Sequence, residues 1–222
     1  MSLTKAASPE AYAANIRAWL GDFGFERPYA ENLVVFLHLV HGASLLHVDS
    51  AFLAGYKSEK FVQGCDGAFT SLQGAKRVVL TVKTADCLPV FLFDPKTKAS
   101  ALLHCGWRGT RDCLLPKCIR RLALERGVKA SELLICFGPR IGRENYAVGK
   151  EFAGMFPRSV AKDGNRLLFD LAGENRLQAL DCGAAAGNIA DSGLCTYANA
   201  KDFFSFRREG LSGTMISFIS VL

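Results

Sequence analysis

Two short apolar runs separated by a tight polar break constrain this chain more than any other stretch. Leu88 to Phe93 and Ala99 to Leu103 have the length of strands, and Asp94-Pro95-Lys96-Thr97 between them has the composition of a turn. The pair reads as a β-hairpin. Antiparallel geometry sets the residue before one strand beside the residue after its partner, so Cys87 and His104 should meet at one end despite sixteen intervening residues. A thiol and an imidazole placed there can reach one another or a shared metal ion, and strand ends are where chemistry usually sits. From spacing alone, metal binding and incidental packing both stay open. Trp107, Arg108 and Gly109 then lead into a helical pattern. A helix start presents free N–H groups and a positive dipole end to an anion, and Arg108 would add a planar fork of donors.

The remaining chain supplies further strands that aim at the same place. Leu33 to Val40 is β-rich and ends in His41-Gly42, and Arg77 to Val82 runs directly into Thr84-Ala85-Asp86-Cys87. Ser8-Pro9-Glu10 reads as a helix start, with Ile16, Trp19, Leu20 and Phe23 on one face. Leu115, Cys118, Ile119, Leu122 and Ala123 form a second helical stripe stopped by Gly127, with Pro116 expected to kink its beginning. Ser131 to Phe137 returns as a strand, residues 138–142 as a loop, Gly149 to Phe156 as a short helix and Ala172 to Leu180 as another. Strand pairs mixed with helices fit an α+β domain, and 222 residues at 50% hydrophobic suffice for one core, so a single domain over 1–222 is expected.

Composition narrows the function. No apolar run approaches the ~20 residues that span a bilayer, and MSLTKAASPE lacks the apolar core of a signal peptide, so a soluble, cytoplasmic protein without membrane partners is expected. Eight cysteines without framework spacing point to reduced thiols, most of them buried as small hydrophobes. A net charge of +6 scattered along the chain favours an anionic small molecule over nucleic acid as partner.

Thr84-Ala85-Asp86-Cys87-Leu88-Pro89-Val90 together with His104-Cys105-Gly106-Trp107-Arg108-Gly109 resembles the TADC and HxGWRG motifs of the laccase-domain family, also called the purine nucleoside phosphorylase or peptidoglycan editing factor family. Val40-His41-Gly42 is similar to its QVHG, Asp66-Gly67-Ala68-Phe69-Thr70 to its DALVT-like segment, and Cys195-Thr196-Tyr197 with Phe203 to Arg208 to its CTY and FFSYRR tail. The resemblance implies two mixed sheets between helix layers, a layered α/β/β/α sandwich. It also links His41 to Cys87 and His104 as the ligands of a zinc ion, three protein ligands leaving one tetrahedral position open. Periodicity does not make that link. Purine nucleoside phosphorolysis or adenosine deamination is the implied chemistry, with nucleoside and phosphate as partners. Arg108, Lys83 and Arg207 or Arg208 are then the anion-binding candidates, while Asp66 and Asp86 are proton carriers, partners to an imidazole, or simply turn caps.

Two alternatives belong beside this reading: a metal-free hydrolase of cell-wall precursors with Cys87 as nucleophile and His104 as base, and a binding protein that keeps the site without turnover. Multicopper oxidase chemistry is not expected, because its copper centres demand many imidazoles and this chain has four histidines; a single copper substituting for zinc is compatible with the ligands. Of the other two, His38 is expected to point away from His41, and His47 to sit at a strand edge. The chain departs from the family at Glu144 and Asn145, which stand where it has paired cysteines, at Leu39 for Gln, at Lys83 for Arg, and at Cys105. The family's N-terminal strand and TRxGGxS-like loop have no counterpart in MSLTKAA unless Lys5 stands in for the loop's arginine, which implies weak or specialised nucleoside activity.

Overall fold

A computed structural model describes residues 32–54, 59–72, 77–210 and 212–220. The expected helix Ser8 to Phe23 and Lys5 lie outside the described residues. In chain order the strands are β1 (Asn32–His38), β2 (Leu45–His47), β3 (Glu59–Gln63), β4 (Gly67–Thr70), β5 (Arg77–Thr84), β6 (Leu88–Phe93), β7 (Ser100–Cys105), β8 (Leu134–Phe137), β9 (Ala147–Val148), β10 (Val160–Asp163), β11 (Arg166–Phe169), β12 (Ile189–Asp191) and β13 (Met215–Ser220). Helices cover Ser50–Leu53, Trp107–Arg111, Leu114–Arg126, Glu151–Met155, Leu171–Asp181 and Phe206–Glu209.

The strands form a four-stranded sheet in the order β13-β5-β1-β3 and a six-stranded sheet in the order β12-β8-β6-β7-β4-β2, with β10-β11-β9 as a small third sheet. Both large sheets are mixed. β1 runs parallel to β3 and β5 while β13 runs antiparallel to β5. In the larger sheet β12 is parallel to β8 and β2 to β4, the other pairs being antiparallel. The period-two alternation of the strands explains how the sheets stack. Leu33, Val35 and Leu37 of β1 and Val78, Leu80 and Val82 of β5 bury against Ala68 of β4 and Leu102 of β7. The opposite face of the six-stranded sheet presents Phe69, Leu88, Val90, Leu92, Leu103 and Cys105 to Leu115, Cys118, Ile119 and Leu122 of one helix and Leu171, Ala172 and Ala179 of another. The layered α+β sandwich of mixed sheets is thus the observed architecture, in the order sheet, sheet, helices among the described residues.

The hairpin forms with Leu88 opposite Cys105 and Phe93 opposite Ser100, closed by Asp94, whose Oδ2 accepts from Thr97 N and Oγ1 at 2.8 and 2.5 Å. Its second strand runs further than expected. His104 lies inside β7 opposite Pro89, because the ladder continues to Cys105. β1, in contrast, stops at His38, and His41 takes a left-handed φ of 59° that no ladder accommodates. Pro116 stands inside its helix, which runs on through it. It is the third residue of Leu114–Arg126, in the first turn where an N–H has no intrahelical acceptor to lose. Gly127 stops that helix as expected, with φ at 66°, but Ala123 faces solvent rather than the core. The expectation that most cysteines are buried is also corrected: only Cys105 and Cys118 are buried, and Cys113 and Cys136 are exposed.

Candidate metal centre

Strand direction assembles the site. β1 and β5 are parallel neighbours, so both deliver their C-terminal ends to one edge of the sandwich, where the loop holding His41 and the turn Ala85 to Cys87 follow. β6 starts from that turn and β7 returns to it. The metal-binding atoms of His41, Cys87 and His104 consequently lie within 4.8 Å of one another, and no other three-ligand group of this kind occurs among the described residues. The His41 ring meets the His104 ring edge-on, with centroids 4.9 Å apart.

Asp66 fixes the His41 loop. Its side chain is fully buried, and its carboxylate accepts from the backbone N–H groups of Val40, His41 and Gly42 at 3.0, 2.7 and 2.8 Å. Its own carbonyl accepts from His104 N at 2.7 Å, tying that loop to β7. The carboxylate stands 3.9 Å from His104 Nδ1, longer than a hydrogen bond. Two glycines let the backbones close up. A Cβ on Gly106 would stand 2.9 Å from Cys87 Sγ, and one on Gly109 would stand 2.6 Å from the carbonyl of Gly42, so the short helix Trp107–Arg111 docks on the His41 loop.

Burial sets the protonation of the cluster. It pushes the Cys87 thiol up to about 12, Asp86 adding to the effect and Arg108 opposing it. It holds His104 down at about 3, neighbouring His41 acting in the same direction. His104 Nδ1 is buried without a hydrogen-bond partner among the described residues. A neutral imidazole with an unspent nitrogen, a second imidazole and a thiol whose ionised form lacks only a nearby cation suit a soft or borderline divalent metal.

Around the cluster opens a cleft of about 750 Å³. Lys83, Asp86, Arg108 and Arg207 all line it, so four of the expected site residues meet the three ligands in one place. Burial lowers the ammonium pKa of Lys83. Arg108 stands over the Trp107 ring at 4.4 Å from its centroid, and Arg207 over Tyr146 at 5.2 Å. Asp86 turns its oxygens to Thr196 Oγ1 at 2.6 Å and Arg207 N at 2.8 Å, pinning the C-terminal segment to the turn that carries Cys87. Arg208 does not line the cleft; its guanidinium donates to the carbonyls of Thr196, Tyr197 and Phe203. His38, expected to point away, does line the cleft, since it ends β1 at the same edge. His47 closes edge strand β2, stacked on Phe69 and 2.9 Å from Glu125.

Sequence reasoning missed the apolar wall made by Ile141, Tyr146, Leu171 and Phe206. These residues come from loops and helix ends far apart in the chain, and only their neighbourhood to quoted motifs, Tyr146 beside the replaced cysteine pair and Phe206 in the tail, marked them in advance.

A layered sheet sandwich carrying one His-Cys-His cluster at the end of a basic cleft defines the class. The chain belongs to the family described as multi-copper polyphenol oxidoreductase laccase, which it matches over residues 1–222. It is 32% identical over 193 residues to a purine nucleoside phosphorylase of Bacteroides thetaiotaomicron, covering 82% of this chain and 70% of that protein. It is 29% identical over 165 residues to adenosine deaminase RL5 from an unknown prokaryotic organism, covering 70% of this chain and 62% of that one. The chain therefore spans about two thirds of the length of these relatives. The crystal structure of Bacillus licheniformis hypothetical protein YfiH superposes with a TM-score of 0.84 at 23% identity, covering 98% of this chain and 84% of that one, a likeness of fold. No helix among the described residues is long and apolar enough to cross a membrane.

Proposed function

We infer that this chain is a zinc-dependent enzyme acting on purine nucleosides, by phosphorolysis or by deamination of adenosine. The observation that carries the reading is the convergence of His41, Cys87 and His104 within 4.8 Å at the end of a cleft lined by Lys83, Arg108 and Arg207. Relatives named purine nucleoside phosphorylase and adenosine deaminase support the choice of substrate. His41, Cys87 and His104 would hold the zinc, which when bound would supply a Lewis acid; copper would suit the same donors as a substitute. The chain's own residues do the rest. The three cations bind and orient the phosphate, with Arg108 best placed for a bidentate grip. Trp107, Leu171 and Phe206 give the base an apolar surface to lie against. Asp66 and Asp86 act by positioning, the first through the His41 loop and the second through the segment bearing Phe206 and Arg207. A metal-free Cys87 nucleophile with His104 as base fits less well, because a thiol at about 12 and an imidazole at about 3 leave no thiolate at neutral pH and only a feeble base to make one.

Elemental analysis and a paired assay test the proposal. Purified protein should carry about one zinc per chain, release hypoxanthine from inosine only with phosphate present or ammonia from adenosine without it, and lose both metal and activity in Cys87→Ser and His104→Ala. Full zinc occupancy in either variant would show that the ion is held elsewhere.

A further inference from the structure

Phosphorolysis asks two things of the cleft, and the cations answer one of them. While a phosphate oxygen bonds to ribose C1′, the C1′–N9 bond breaks and its electron pair passes into the purine, where it spreads to N7. A donor fixed near N7 would stabilise that charge as it forms. Two hydroxyl side chains line the cleft, Thr214 and Tyr146. Thr214 sits where the cleft meets a second cavity on its far side. Tyr146 is rigidly held within the cleft wall: 9% exposed, its ring packs on Phe152 and Phe169 at centroid distances of 6.5 and 5.5 Å, and Arg207 covers it. It lines the same cleft as His41, Cys87, His104, Asp86 and Arg108. No hydrogen bond of the Tyr146 hydroxyl to a protein acceptor is found among the described residues, and the hydroxyl is not one of their buried unpartnered atoms, as suits a donor that opens on the cleft the residue lines.

We propose that Tyr146 is a substrate-contacting residue whose hydroxyl donates a hydrogen bond to N7 of the departing purine, an assignment that rests on the phosphorolysis reading above. Tyr146 keeps its proton throughout. A phenol is protonated at neutral pH and so donates there. The purine takes its proton from water, and the sugar phosphate gives up to water the proton that the phosphate brought.

Tyr146→Phe removes the hydroxyl and keeps the ring, and a pair of substrates isolates the contact. In 7-methylinosine the N7 acceptor is already occupied and the base leaves without negative charge. With inosine and phosphate, kcat/KM should fall about a hundredfold in the variant, the scale of one lost donor to a developing charge. With 7-methylinosine it should match the wild type, and zinc content and melting temperature should not change. An equal loss on both substrates, no loss on either, or loss of zinc would overturn the assignment while leaving the functional reading in place. A wild-type protein that phosphorolyses neither substrate would overturn that reading and this inference with it.

Discussion

At the residue scale, His104 ties protonation to stability. In the metal-free protein its imidazole is held at about 3 against an ordinary value of 6.5, first by burial and then by His41. Between those values the unfolded chain binds a proton that the native chain refuses, so native stability rises with pH across the window and is lost as pH falls from 6.5 towards 3. The slope should reach up to about 1.4 kcal/mol per pH unit. Urea midpoints of chelator-treated protein across that range, beside His104→Gln, provide the check: the variant should lose this part of the slope, and an identical slope would show that other groups carry it. The pairing of His104 with Cys87 was legible, because a hairpin's register follows from its turn and its apolar runs. His41 was legible only through resemblance. Its left-handed backbone breaks any period, and what aims it is Asp66, whose three backbone contacts leave no trace in the sequence pattern.

At the scale of elements, the loop Val40 to Gly42 exists as a loop because one carboxylate gathers three successive N–H groups. Asp66→Asn keeps the volume but replaces one acceptor oxygen with a donor that faces backbone N–H. The expected cost is about 1–3 kcal/mol of stability, with weakened zinc binding because His41 is released from its place. Chemical denaturation and competition with a chelator measure the two effects, and a variant equal to wild type in both would mean that the docking of Gly109 on Gly42 suffices to hold the loop. Helix Leu114–Arg126 was readable from its stripe and its glycine stop. Strand β13 was missed because Met215-Ile216-Ser217-Phe218-Ile219-Ser220 lacks the strand alternation and because its partner is β5, more than a hundred residues earlier. β9 to β11 are too short for a period to register.

Across the whole molecule, the three candidate ligands come from both large sheets and the link between them. His41 follows β1 of the four-stranded sheet, His104 lies within β7 of the six-stranded sheet, and Cys87 sits on the link between β5 and β6 that joins the two. An ion held by all three would cross-link the sandwich at its open edge, so its binding energy should appear in global unfolding rather than in local loop order. Zinc at about a hundred times its dissociation constant should then raise stability by about 2.7 kcal/mol, in a single cooperative transition. Chelation should reverse the shift, and Cys87→Ser should abolish it without dividing the transition in two. Calorimetry with and without zinc decides the matter. A melting temperature that zinc leaves unmoved in the wild type, or moves equally in Cys87→Ser, would place the ion outside the junction between the sheets.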